Sequence, residues 1–104
     1  MNNLKVVKPE KNQLQMFCIM DTKAKRPINP PSQDDNYDTA IRSFSVLVND
    51  PKTVMNMHPE DYHLMHVGYW EPEKMLLTPQ DPPTSVISAV SLKKNLDKGE
   101  NTTV

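Results

Sequence analysis

Glycine is almost absent from this chain. Two of its 104 residues are Gly, against ten Pro. Gly68 and Gly99 stand far apart, which excludes a glycine-rich loop that cradles phosphate. Cysteine is scarcer still. Cys18 is the single one, so no intrachain disulfide can form, and a reducing compartment is expected. Aromatic residues make up 6% and hydrophobic residues 37% of the chain. The core must be thin, since a domain of this length buries only about 60–65% of its unfolded surface. No apolar run approaches the ~20 residues of a membrane helix. The opening residues, Met1-Asn2-Asn3-Leu4-Lys5, lack the apolar stretch of a secretion signal, so no membrane partner is expected. Charge of one sign is also missing: 12 basic and 13 acidic residues give −1. That argues against a sequence-blind basic coat for DNA, while leaving room for a local basic patch.

What is present reads as one α+β domain. Residues 1–13 are polar and contain Pro9, and are expected to be a flexible arm. Leu14 to Met20 is apolar and free of Gly and Pro, as a buried strand requires. Asp21 to Asp35 holds Pro27, Pro30 and Pro31 and is expected to be loop. Next comes the clearest element. Tyr37, Ala40, Ile41, Phe44, Leu47 and Val48 share one side of a 3.6-residue helix. Asp34, Asp35 and Asn36 offer cap and dipole-favourable charge at its start. Pro51 ends it, or restarts a short turn through Val54 and Met55 with Asp50 as cap. His58-Pro59-Glu60-Asp61 has the pattern of a second capped turn. Tyr62 to Trp70 reads as a strand, Glu71 to Lys74 as a turn, Met75 to Thr78 as its partner strand and 79–83 as a rigid connector. Residues 84–96 suit helix or strand equally, and 97–104 are expected to be a disordered tail. The expected fold is a small antiparallel three-stranded sheet carrying one main amphipathic helix, β-α-β-β, over residues 14–96.

Such a fold leaves a surplus of apolar side chains. Leu14, Met16, Cys18 and Met20 point one way from the first strand, Phe17 and Ile19 the other. In the second strand, simple alternation sets Leu64 and Trp70 against Met65, Val67 and Tyr69. One helix covers one face. Either residues 84–96 cover the second, or another subunit does; self-association into a homodimer is the favoured expectation.

Catalytic constellations are weak. His58, His63 and His66 lie near Glu60 and Asp61, but positions 63 and 66 of a strand face opposite ways, and no HExxH pattern or cysteine pair accompanies them. Glu60 and Asp61 fit the positive end of a short helix better than an acid/base pair, which needs two contrasting environments. Cys18, in a buried strand, is an inert thiol. No enzyme activity, metal or cofactor is therefore expected. The densest basic cluster is Lys23, Lys25 and Arg26, directly after the first strand. With Tyr37 or Trp70 nearby it would combine phosphate neutralisation with base stacking, as single-stranded DNA binding requires; a solvated loop is the plainer reading. Arg42, four residues after Asp38, reads as an exposed ion pair or as a phosphate or partner contact.

Several motifs occur in a distinctive order: Asp21-Thr22-Lys23-Ala24, Ala40-Ile41-Arg42-Ser43-Phe44, Val48-Asn49-Asp50, His58-Pro59-Glu60-Asp61-Tyr62 and Val67-Gly68. Over residues 16 to 70 the chain resembles the small non-structural protein family of gokushovirus-type microviruses, phages with single-stranded DNA. It departs from that pattern in a longer N-terminal arm and in Pro72 where the hairpin is expected to carry glycine. The resemblance implies a non-enzymatic phage protein of the host cytoplasm. It would take part in genome replication, or in the switch to packaging, through single-stranded DNA or phage and host replication proteins. It also favours Lys23, Lys25 and Arg42 as contacts, since they lie inside the shared motifs. A protein–protein adaptor, scaffolding or host-directed, is the alternative.

Overall fold

Leu14–Asp21 forms the first strand, β1, of a computed structural model that describes residues 13–94. The expected tail, and the expected arm apart from Gln13, lie outside the described residues. After β1 come β2 (Arg26–Pro27), β3 (Ser32–Asp34), α1 (Tyr37–Val48), α2 (Val54–Met57), a 3-10 turn (Pro59–Asp61), β4 (Tyr62–Glu71), β5 (Leu76–Ser88) and α3 (Ala89–Leu92). All strand pairs are antiparallel. The order is β2-β1-β4-β5, with β3 also paired to β1. The fold is thus α+β, but the described residues form five strands and three helices rather than three strands and one. The extra strands are the two short segments of the proline loop, which pair with opposite ends of β1: Met20 with Pro27 and Met16 with Gln33.

α1 forms where the periodicity requires it. Asn36 is the N-cap, its Oδ1 accepting from the Thr39 amide and hydroxyl at 2.9 Å each. Ala40, Phe44 and Val48 are its buried stripe. They pack on Phe17 and Ile19 of β1 and on Tyr62 and Leu64 of β4, joined by Met55 of α2 and Ala89 of α3. The short turn after Pro51 does form, but Thr53 caps it rather than Asp50: the Thr53 Oγ1 accepts from the Asn56 amide at 3.1 Å. Asp50 instead accepts from the Lys52 amide.

The second half departs further from expectation. Residues 79–83 are not a connector; β5 runs through them, with a cis Asp81–Pro82 bond and breaks in register. Residues 84–88 complete that strand and 89–92 turn into α3. α3 sits on the same side as α1, where Ala89 is fully buried and Leu92 packs against the core. Residues 84–94 therefore leave the opposite face of the sheet uncovered.

The helix-free face and the basic residues

The β1–β2 connection shows how the basic cluster is displayed. Asp21 and Arg26 pair, and four residues turn between them. The Asp21 Oδ1 accepts from the Lys23 and Ala24 amides at 3.0 Å each, and its carbonyl accepts from the Lys25 amide at 2.8 Å. Lys25 closes the turn at φ 62°, the left-handed region. Thr22 ties the turn down by donating its amide and hydroxyl to the Asp61 carbonyl. Lys23, Lys25 and Arg26 are all exposed.

Arg42 belongs elsewhere. It is exposed on α1 and lines an open groove with Asp38, Ile41, Asn49, Leu92 and Lys94. That is the α3 side of the helix, whereas β2 lies at the far edge of the sheet. An ion pair joins Lys74 to Glu71 at 3.8 Å, whereas the expected Asp38–Arg42 pair does not form. The aromatic candidates are separated as well. Tyr37 packs edge-on against Phe17 at 5.6 Å and against His66 at 5.5 Å, on the helix side. Trp70 pairs with Leu14, roughly 23 Å along β1 from Asp21 at ~3.3 Å per residue. The six candidate residues thus occupy four places: the β1–β2 turn, the groove on α1, the ring cluster around His66 and the Leu14 end of β1. The basic turn and Trp70 sit at opposite ends of β1.

The sheet register defines a different surface. Leu14 pairs with Trp70, Cys18 with Met65 and Met20 with His63, all away from Phe17 and Ile19. On β5, Leu77 continues the row from Trp70, Pro79 from Gly68, and Ser85 from Met65. No Asp, Glu, Lys or Arg occupies these positions. A bulge sets the alignment: Phe17 pairs with His66 but Met16 with Gly68, leaving Val67 extra. Beyond it the faces swap, so Trp70 joins Met65 on the helix-free side and Tyr69 joins Leu64 on the helix side. Simple alternation had assigned both the other way. At the centre, Met16, Pro31, Val67, Gly68, Leu77 and Pro79 line an apolar hollow of about 300 Å³. Leu77 in its wall is 58% exposed, and Met75 at the β4–β5 hairpin tip is 80% exposed. Sequence reading missed Leu77, Met75 and Pro31; the signal available was the apolar surplus on both faces of the strands.

The histidines do not converge. His63 is on the helix-free face, its Nδ1 3.1 Å from the Ser85 hydroxyl. His66 is 1% exposed on the helix side, caged by Phe17, Tyr37 and Tyr69, and its Nε2 has no partner. It lies inside the sheet rather than at an edge, because β4 is an interior strand. Burial pushes its pKa down, against a smaller upward pull from a hydrogen bond with the Gly68 backbone. His58, Glu60 and Asp61 bring three ligand atoms within 4.8 Å of one another on the 3-10 turn, two of these residues being exposed. Burial pushes the Cys18 thiol up, away from the reactive thiolate. No helix among the described residues is long and apolar enough to cross a membrane.

The shared motifs have structural roles. Asp21 builds a turn, and Gly68 leaves room where a Cβ would stand 2.5 Å from the Thr78 carbonyl oxygen. Asn49 donates to the Leu92 carbonyl at 3.0 Å and accepts from the Lys94 amide at 2.7 Å, fastening the segment after β5 to α1. The surface and topology define a small α+β protein with one sheet face bare among the described residues. The family model described as Phage ORF5 protein matches residues 14–92, and the chain belongs to that family. Neither a curated protein nor a solved structure matches it.

Proposed function

We propose that this phage protein is a non-catalytic adaptor of the host cytoplasm that works by protein–protein contact through its helix-free sheet face. The observation that carries this reading is the composition of that face. It is apolar, holds an open hollow and has no charged side chain at its paired positions. Nucleic acid needs cations beside its stacking surface, and Trp70 has none at its paired positions. A protein surface needs apolar area and shape. The resemblance to the gokushovirus-type family gives the setting: genome replication or the switch to packaging, with phage or host replication proteins as partner class. The test is affinity capture from infected cells, with and without nuclease. Capture should survive nuclease and fail for Leu77→Glu. Capture that is nuclease-sensitive and indifferent to Leu77→Glu overturns the reading.

A second reading has its own support. Lys23, Lys25 and Arg26 are exposed with no ion pair among the described residues, at a turn held rigid by Asp21. They would contact the phosphates of single-stranded DNA, with Arg42 as a separate contact. Binding to an unstructured oligonucleotide should then weaken steeply with salt, log K falling by about 0.7 per phosphate per decade. A flat salt response removes this reading.

A further inference from the structure

We infer that the occupant of the helix-free face is a second copy of this chain, stacked sheet to sheet about a twofold axis. This rests on the protein-contact reading above and names its partner.

The edges of the sheet direct association to the face. β2 and β3 already take the outer edge of β1. β5, at the other edge, carries Pro79, Pro82 and Pro83, which have no N–H to donate, and its register breaks opposite Val67. Adding another copy strand to strand is therefore obstructed at both sides.

The face itself suits its own image. A twofold contact brings one patch against the same patch, so any net charge would meet its own sign. None stands at the paired positions here. Relief matters as much as charge. A hollow of about 300 Å³, with Gly68 and Leu77 in its lining, opens on this face. A twofold contact can set the Leu77 of each copy, 58% exposed, over the hollow of the other. Two identical sheets also share one twist and pack aligned, as in a β-sandwich.

The area fits a reversible dimer. Three long strands at ~4.8 Å spacing and about 34 Å length present a footprint of roughly 480 Å² per copy. Doubled, this is at the low end of specific interfaces, which places the dimer in exchange with its monomer.

Sedimentation velocity of the full chain, from about one to a few hundred micromolar, tests this. Mass should rise from one chain to two across that range. Leu77→Glu should weaken dimerisation at least tenfold. Val46→Glu, on the exposed side of α1 (66% exposed), should leave it unchanged. Met65→Glu provides a second break within the face, and circular dichroism confirms that each variant is folded. A monomer throughout overturns the inference; if nuclease-resistant capture still fails for Leu77→Glu, the face serves a different protein and the adaptor reading stands. A dimer indifferent to both face variants overturns the inference as well, by placing the contact elsewhere.

Discussion

Burial among rings disfavours the charged form of His66, and that has a pH consequence. Burial lowers its folded pKa below the unfolded value of ~6.5. The unfolded chain then binds more protons just below that pH, so stability rises with pH there and is lost as pH falls through ~6.5 toward the folded value. Urea midpoints measured at several pH values should show this slope, and His66→Phe should flatten it. An unchanged slope in the variant would assign the acid sensitivity to other groups. Gly68 makes the opposite kind of demand, for space. A methyl group there meets the Thr78 carbonyl oxygen, a backbone atom that cannot swing aside. Gly68→Ala should cost about 1–3 kcal/mol in chemical denaturation by forcing β4 and β5 apart. The Val67-Gly68 pair stands out in the sequence, but neither its crowding nor the depth of His66 could be read there. Both depend on which residues of β1 and β5 lie opposite.

At the scale of elements, the helix was legible and the sheet only partly. α1 announces itself because Ala40, Phe44 and Val48 repeat at the helical period and Asn36 caps it. Those signals lie within the segment. β5 was hidden by its prolines, which ordinarily end a strand but are tolerated at an edge and at breaks in register. The bulge at Val67 was equally invisible, since an extra residue shows only against its partner strand. Turn chemistry was misread in one respect. The hairpin after Trp70 closes with Met75 at φ 51°, where glycine is the easy choice, as Lys25 does in the first turn. Met75→Gly should raise stability by up to ~1 kcal/mol, since left-handed backbone costs an L-residue about 1–2 kcal/mol and glycine's added unfolded-state freedom offsets part of the gain. Asn49 joins elements through its side-chain amide. Asn49→Ala should speed hydrogen exchange at Lys94 and cost about 1–3 kcal/mol. Unaltered exchange there would mean that the packing of Leu92 and Ala89 suffices.

Across the whole molecule, the apolar surplus was the most faithful message in the sequence. It posed a choice between cover by residues 84–96 and cover by another subunit, and among the described residues α3 lies on the helix side and leaves the other face uncovered. The distribution of charge was not foretold. Lys23, Lys25 and Arg26 stand at the β1–β2 turn and Arg42 with Lys94 in the groove between α1 and the segment after β5, because contacts between elements distant in sequence decide where each side chain comes to lie. The bare face also has a chemical character of its own. Met16, Met20 and Met65 hold thioethers there, and Met75 stands exposed at the hairpin tip. Peroxide would convert them to sulfoxides, exchanging soft apolar groups for polar ones while the core around Phe44 keeps its shape. On the adaptor reading proposed above, such oxidation would disarm the surface before it unfolded the protein, and methionine sulfoxide reductase would restore it.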